Sequence, residues 1–203
     1  MGGVLVSLLS PSRCAACDAP ARERAVFCAA CAIAVERSFD RGAPFLYGGP
    51  VAQAITRFKY GPVPELARPL GALLAAAARE RAFSVDAVVP VPLHPTRLFE
   101  RGFNQAALLA RPVARALGVP LRARALARTR PTEKQAELDR SARLQNVRGA
   151  FRARRAMGER VLLVDDVRTT GATQNACAEA LRAAGCPRVE WLVLAIAPSI
   201  AYP

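Results

Sequence analysis

The sequence predicts an α/β protein: a mostly parallel sheet flanked by helices and preceded by a small cysteine-rich N-terminal module. Short apolar runs typical of buried strands alternate with helical patterns beyond residue 43, which indicates a parallel sheet with both faces covered. Four cysteines stand in two close pairs before residue 32, a spacing typical of a thiolate metal site. We therefore predict a module over residues 1–42 and a sheet domain over residues 43–203.

The composition favours a globular chain. The 203 residues are 52% hydrophobic and 22% charged, which is enough apolar material for a self-sufficient core. The longest apolar stretch, around residues 73–78, is far shorter than the ~20 residues of a membrane-spanning helix. Residues 1–9 are apolar but show no basic region and no cleavage site, so we expect no signal peptide. The expectation is a cytoplasmic protein without a membrane span.

The positive charge is concentrated in the middle of the chain. The net charge is +13, and residues 81–160 carry 17 basic and 6 acidic groups. Such an excess favours anionic partners, namely a polyphosphate ligand, a nucleic acid or both. A chain rich in Arg and Ala throughout would show the same excess through compositional bias, and bulk charge does not separate these interpretations.

The cysteine pairs have the spacing of a structural zinc site. Each pair is a C-x2-C knuckle, and the ten residues between the pairs suffice for a hairpin that brings the sulfurs together. A reducing compartment favours zinc over disulfides, and four thiolates leave no open position for catalysis. The alternatives are a redox pair or idle thiols. The predicted ligands are Cys14, Cys17, Cys28 and Cys31.

The strands and helices of the sheet domain follow from periodicity and from proline and glycine positions. Residues 128–149 are polar and lack a steady period, so we predict a long loop there. The predicted elements are helices starting at Pro50 and near Pro64, a strand over 85–92, a helix capped by Asn104 and ending at Gly118, a weak strand over 121–127, a strand over 161–164, a helix ending at Gly185 and a strand over 189–196.

The string VLLVDDVRTTGAT over residues 161–173 predicts a phosphate-binding site. A parallel strand would deliver the acid pair (Asp165 and Asp166) to the edge of the sheet, where ligands bind in α/β proteins. A helix follows at once, and its N-terminal amides attract anions. The threonine-rich phosphate loop (residues 169–173) would hold a phosphate, while the carboxylates suit ribose hydroxyls or a divalent cation. The alternative is a strand that merely ends in two aspartates before a helix capped by Thr169.

This string resembles the motif by which type I phosphoribosyltransferases bind phosphoribosyl pyrophosphate (PRPP), with Ala172 in place of a glycine that many members have. The resemblance implies a type I phosphoribosyltransferase-like sheet. It implies that the acid pair contacts the ribose hydroxyls, that the phosphate loop wraps the 5-phosphate, and that Mg²⁺ accompanies PRPP. The implied PRPP-binding residues are Asp165, Asp166, Val167, Arg168, Thr169, Thr170, Gly171, Ala172 and Thr173.

Three further segments, together with the cysteine module, resemble the ComF family of competence proteins. They are FKYG at residues 58–61, PVPLHPTRLFERGFNQ at residues 90–105, and a spaced set of polar residues from Arg130 to Asn146. The resemblance spans essentially the whole chain. It implies a role in DNA uptake and handling during natural transformation, with single-stranded DNA and other competence proteins as partners.

Position within the implied fold assigns roles outside the phosphate loop. The loop at residues 92–102 would meet the pyrophosphate, so Arg97 and Arg101 are the candidates to hold diphosphate oxygens and, with the acid pair, to act in catalysis. His94 is equally consistent with a structural hydrogen bond and with a ligand contact. The resemblance gives Lys59 and Tyr60 no defined role. The residues implied for a loop that closes over the substrate are Arg130, Thr132, Gln135, Arg143 and Asn146.

Three functions stay open at this point. The first is a ComF-like protein that binds PRPP or a similar phosphosugar in DNA uptake. The second is a salvage phosphoribosyltransferase that transfers the phosphoribosyl group to a nucleobase or amine; the displacement would need positioning and charge stabilisation more than acid–base chemistry. The third is a non-enzymatic, zinc-stabilised interaction protein. The transferase is favoured by the intact phosphate-binding segment, because a structural relic would tolerate loss of both aspartates or of the threonines; no acceptor pocket is evident in the sequence.

Overall fold

The computed structural model describes residues 12–61, 63–131, 147–154 and 158–198. Prolines and glycines set several of the boundaries: Pro50 lies in the first turn of one helix, and Gly118 follows the end of another with a left-handed φ of 69°. In chain order the elements are α1 (Ala29–Ile33), β1 (Phe45–Leu46), α2 (Gly49–Tyr60), a 3₁₀ turn (Pro64–Leu66), α3 (Ala67–Glu80), β2 (Ala87–Pro90), α4 (Pro95–Arg101), α5 (Gln105–Leu117), β3 (Leu126–Arg128), β4 (Phe151–Ala153), β5 (Val161–Arg168), α6 (Ala172–Ala183) and β6 (Val189–Ile196).

The main sheet is fully parallel among these elements and has the strand order β1-β6-β5-β2. Strand β5 lies inside the sheet, between β2 and β6. Its first four residues are completely buried because helices cover both faces. Helices α2, α3 and α5 pack on one face, whereas α6 and the antiparallel pair β3–β4 pack on the other. The predicted parallel sheet flanked by helices is confirmed.

Most predicted elements exist, but some boundaries differ. The loop expected at residues 92–102 contains helix α4, and the weak strand expected at 121–127 is displaced to Leu126–Arg128. Strand β5 continues past its predicted end at residue 164, because β6 pairs with it as far as Arg168. The acid pair therefore lies within the strand and not after it. Helix α5 begins after Asn104 and ends before Gly118, as predicted.

The N-terminal module is tied to the sheet domain through α2. The Arg57 guanidinium donates to the carbonyl oxygens of Cys14 and Ala15 at 2.9 and 3.0 Å, and it forms an ion pair with Asp18 at 2.7 Å. Backbone bonding adds a second tie, because the Val193 amide of β6 donates to the Gly42 carbonyl.

Among the described residues, no helix combines the length and the apolar character that crossing a membrane requires.

Candidate functional site

A cavity of about 480 Å³ opens where β2 and β5 end. Its volume lies within the range of small-molecule sites, and its position at the carboxyl edge of a parallel sheet is the usual place for a ligand. The acid pair forms part of its floor. Arginines and a lysine reach it from three other elements. The lining residues are Tyr47, Thr56, Lys59, Tyr60, Val91, Pro92, Leu93, Arg97, Arg101, Asn104, Gln105, Ala106, Arg128, Asp165, Asp166, Val167, Thr169 and Thr173.

The carboxylate of Asp165 is held by two donors. One oxygen accepts from the Asp166 amide at 2.9 Å, and the other accepts from Nε2 of Gln174 on α6 at 2.8 Å. Burial and the adjacent Asp166 carboxylate raise the pKa of Asp165 to about 7, although Lys59 and Arg128 act in the opposite direction. Asp165 therefore changes charge near neutral pH, and its position is set by Gln174.

The carboxylate of Asp166 is held by a cation from the opposite face of the sheet. Residues 165 and 166 are consecutive in β5, so their side chains leave the strand on opposite faces. Nζ of Lys59, in the last turn of α2, lies 2.9 Å from Oδ2 of Asp166. Although burial opposes its charged form, the Asp166 and Asp165 carboxylates raise the pKa of Lys59. The lysine is therefore a charged partner of a buried aspartate.

The acid pair does not fit a magnesium ion bound directly to its carboxylates. Mg²⁺ demands an octahedron of oxygen ligands. Here Asp165 is engaged by two N–H donors, and the ammonium group of Lys59 already neutralises Asp166. A magnesium ion at this site would have to be held through oxygens of the ligand itself.

The phosphate loop begins as β5 ends and leads into α6. Thr169 and Thr173 line the cavity, and the hydroxyl of Thr170 accepts from the Ala172 amide at 3.3 Å. Gly171 precedes the helix with a left-handed φ of 78°, and a Cβ there would lie 2.7 Å from Nε of Arg168. The first turn of α6 is thereby aimed at the same space as Thr169 and Thr173, an arrangement suited to an anion.

Arg168, which the motif places among the phosphate-binding residues, does not line this cavity. Its guanidinium stacks on the ring of Trp191, with 3.9 Å between Cζ and the ring centroid. Thr170, Gly171 and Ala172 are also absent from the cavity lining, whereas Asp165, Asp166 and Val167 contribute to it.

Three arginines supply positive charge around the cavity. Arg97 and Arg101 extend from α4, and Arg128 extends from the end of β3. The Arg101 guanidinium lies 5.1 Å from the ring centroid of Tyr60. Burial and the nearby Arg97 guanidinium lower the pKa of Arg128. The structure thus brings Arg97 and Arg101 to the cavity, and it adds Arg128, which the sequence analysis did not single out.

The residues implied for the closing loop are mostly outside the described chain. Arg130 is described, and it donates to the carbonyl oxygen of Arg148 at 3.0 Å. The remaining four, Thr132, Gln135, Arg143 and Asn146, lie outside the described residues.

The polar residues that flank α4 divide into caps and a cavity residue. His94 caps α4, with Nδ1 accepting from the Thr96 amide, and Asn104 caps α5 while donating to the Val91 carbonyl. Gln105 differs from both. It is only 2% exposed, it lines the cavity, and its Nε2 finds no hydrogen-bond partner in the described part of the chain. A buried donor without a described partner on a residue that lines a cavity makes Gln105 a candidate for ligand contact.

The four cysteines of the module converge as predicted. All their sulfurs lie within 4.8 Å of one another, and Sγ of Cys17 is 3.7 Å from that of Cys28 and 3.6 Å from that of Cys31. A tetrahedral zinc site with Zn–S bonds of about 2.3 Å needs sulfurs roughly 3.8 Å apart. Although burial opposes ionisation, hydrogen bonds from the Cys17 and Cys28 backbone lower the pKa of Cys14 to about 6. Burial and the neighbouring thiols raise the pKa of Cys31 to about 12, so it is the converging geometry of the four sulfurs that fits structural zinc.

Comparison with known proteins identifies relatives of this chain. No protein-family model matches the chain. It is 35% identical over 153 residues to competence protein F of Haemophilus influenzae, covering 71% of this chain and 67% of that protein. It is 35% identical over 150 residues to the DNA utilization protein YhgH of Escherichia coli K12, covering 71% and 66%. A glutamine PRPP amidotransferase from B. subtilis superposes with a TM-score of 0.48 at 25% identity, covering 67% of this chain and 30% of that one.

Fold and sequence together define the class. The protein has a parallel sheet flanked by helices and an N-terminal four-cysteine module. The chain belongs to the family of competence protein F, which confirms the resemblance drawn from its motifs.

Proposed function

We propose that the protein binds PRPP, or a phosphosugar of the same shape, in the cavity at the ends of β2 and β5. One observation supports this proposal above all: a pair of carboxylates, two threonines at a helix N-terminus and three arginines line the same cavity. Hydroxyls suit the carboxylates, and phosphates suit the helix terminus and the arginines.

The proposed pose follows from these chemistries. Thr169, Thr173 and the first turn of α6 hold the 5-phosphate, and the acid pair accepts hydrogen bonds from the ribose hydroxyls. The diphosphate extends towards α4, where Arg97 forms part of the cavity wall. Magnesium, bound through the diphosphate oxygens, would supply further charge compensation on the leaving group.

Phosphoribosyl transfer is the enzymatic form of this proposal. A nitrogen of a nucleobase or an amine would attack the anomeric carbon, the bond from that carbon to the diphosphate oxygen would break, and diphosphate would leave with its electrons. Arg97 and Arg101 would stabilise the departing charge, and no side chain needs to act as a general base for the displacement itself. Gln105, with its unpartnered buried amide, is the described residue best placed to orient a ligand acceptor.

Calorimetric titration of PRPP with Mg²⁺ tests the proposal. We expect saturable binding by the native protein and loss of binding in an Asp165→Ala, Asp166→Ala double variant. The control is Glu179→Gln, which removes an acidic charge from the exposed side of α6. Failure of zinc-loaded, folded protein to bind PRPP, or equal binding by the double variant, would refute the proposal. Release of diphosphate upon addition of a candidate acceptor would establish transfer.

We further propose that the protein acts in DNA uptake or handling, as its relatives' names indicate, in contact with single-stranded DNA and other competence proteins. Beside the cavity, α4 presents Phe99, which is 91% exposed, next to Arg97 and Arg101. Exposed aromatic rings flanked by arginines can stack on bases and bind phosphates. The thiolate module suits the reducing cytoplasm, where such handling would occur.

Fluorescence anisotropy with a labelled oligothymidine tests the DNA contact. Phe99→Ala should weaken binding by about fivefold to 150-fold, the range of one lost base stack, and binding should fall as salt rises. Phe39→Ala is the matched control, because Phe39 is fully exposed but lies before β1, in the N-terminal part of the chain. Equal losses in both variants, or none in Phe99→Ala, would place DNA binding elsewhere.

A further inference from the structure

The FKYG segment forms the last turn of α2, and each of its residues has a different task. Phe58 is completely buried and anchors the helix in the core. Tyr60 lies under the Arg101 guanidinium at the rim of the cavity. Gly61 ends the helix where a Cβ would lie 2.8 Å from the Arg57 carbonyl oxygen. Between them, Lys59 is turned into the cavity.

A lysine is unusual at the floor of a cavity, because its ammonium group is largely buried there. The side chain of Lys59 is 22% exposed and that of Asp166 is 9% exposed. A buried ion pair usually adds little stability compared with apolar residues of the same size. Helix α2 therefore places a charged group at the floor of the cavity, at a cost in desolvation. There the ammonium group forms its described ion pair with Asp166, one member of the acid pair.

The lysine provides Asp166 with a fixed counter-charge. The Lys59 ammonium group donates one of its three protons to Asp166, with 2.9 Å between Nζ and Oδ2. The other described cationic group near the acid pair is Arg128, which acts electrostatically on Asp165. Lys59 also acts electrostatically on Asp165, so the same ammonium group compensates charge on both members of the acid pair.

We propose that Lys59 is the built-in cation of the ribose subsite, holding the Asp166 carboxylate in place so that a ribose 5-phosphate group binds without a divalent metal ion. This inference rests on the proposed function of the cavity. Lys59 is a positioning residue here: it acts through Asp166, which accepts the hydrogen bond of a sugar hydroxyl. Magnesium then matters only for ligands that bring a diphosphate of their own.

Calorimetry with ribose 5-phosphate, which has no diphosphate, tests the proposal. Titrations are run in buffer cleared of divalent ions by chelating resin and again with added Mg²⁺, on protein whose zinc content has been measured. For the native protein we expect the two Kd values to agree within about threefold. Lys59→Met should weaken ribose 5-phosphate binding by at least about tenfold, the loss expected for a charge-assisted hydrogen bond.

Three comparisons separate positioning from a general structural effect. Inorganic phosphate, which needs only the phosphate loop, should bind Lys59→Met as it binds the native protein. Lys59→Arg should recover most of the affinity for ribose 5-phosphate, because it restores a cation. If Lys59→Met folds poorly, the Lys59→Met, Asp166→Asn double variant removes the unpaired buried charge. It should bind inorganic phosphate as the native protein does, but bind ribose 5-phosphate more weakly.

The outcomes distinguish this inference from the proposed function. Ribose 5-phosphate binding that requires Mg²⁺, or that survives in Lys59→Met, would overturn the role of Lys59 while leaving the phosphosugar site intact. The same holds if PRPP with Mg²⁺ binds but ribose 5-phosphate does not. If native protein binds neither ligand under either condition, both proposals fail.

Discussion

The guanidinium of Arg168 stacks on the indole of Trp191, joining the end of β5 to the neighbouring strand β6. Burial lowers the pKa of Arg168, with the Asp40 carboxylate acting in the opposite direction. The arginine also lies where a Cβ on Gly171 would be. A residue of the PRPP-binding motif therefore braces the phosphate loop from behind, on the side of the loop away from the cavity.

Replacing Arg168 should affect stability more than ligand binding. Arg168→Gln removes the stacked cation, so we expect the free energy of unfolding to fall by about 1 kcal/mol, measured by urea denaturation followed by the fluorescence of Trp191. PRPP affinity should stay within about threefold of native. The control variant is Arg188→Gln, which removes an exposed guanidinium paired with Glu190 of β6. It should change neither the free energy of unfolding nor the PRPP affinity. If Arg168→Gln lost PRPP binding at unchanged stability, the result would show that Arg168 contacts the ligand.

Gly171 should tolerate no side chain. Gly171→Ala combines a left-handed φ of 78° with a contact of 2.7 Å to Arg168, so we expect a loss of about 1–3 kcal/mol in the free energy of unfolding. Gly102→Ala shares the same φ but meets nothing within 4 Å, and it should cost about 1 kcal/mol. Thermal and urea denaturation of both variants separate backbone strain from the clash. Equal losses would show that Arg168 moves away freely.

The raised pKa of Asp165 predicts a pH-dependent stability. The folded-state pKa of about 7 lies above the ordinary value of 3.8, so the native state keeps a proton that the unfolded state has lost between these values. The stability of the native protein should therefore fall as pH rises from 5 to 8, relative to Asp165→Asn, by on the order of 1 kcal/mol or more.

The control for this pH effect is Asp86→Asn. The Arg160 side chain and backbone amide lower the pKa of Asp86 to about 2, so both states are ionised throughout the same pH window. The difference between Asp86→Asn and native protein should stay flat from pH 5 to 8. Chemical denaturation at a series of pH values measures both differences. A flat difference for Asp165→Asn as well would mean that Asp165 titrates normally in the folded protein.

The cysteine module should hold one zinc ion per chain. Cys17→Ser should release zinc and destabilise the protein by several kcal/mol, since metal binding energy contributes directly to folding. Cys177→Ala should retain the zinc, because Cys177 is buried against the sheet on α6. Elemental analysis of both purified variants provides the measurement. Full zinc content in Cys17→Ser, or none in the native protein, would contradict the assignment.

Local patterns allowed the phosphate loop, the acid pair and the cysteine cluster to be predicted, because each is contiguous or closely spaced in sequence. Helix α4 was missed since it buries none of its residues, so it shows no apolar stripe. Lys59 and Asp166 are far apart in sequence, and no local sequence pattern predicts that the end of α2 packs over β5. Gln105 directly follows the capping residue Asn104, and nothing in its local pattern distinguishes it as a cavity residue. What sequence could not supply is the long-range packing that brings these side chains to one cavity.

The pairing of β1 with β6 has a consequence for the nascent chain. Phe45 pairs with Ala195 and Leu46 with Ile196, so strand β1 has to wait for β6 to be synthesised before it finds its place in the sheet. The four cysteines of the module that precedes β1 can come together early, but the hydrogen bond between Gly42 and Val193 of β6 forms late, after the strand bearing the acid pair has emerged. Contacts between such distant segments slow folding. On the ribosome, the N-terminal module would thus exist for some time beside an unfinished sheet.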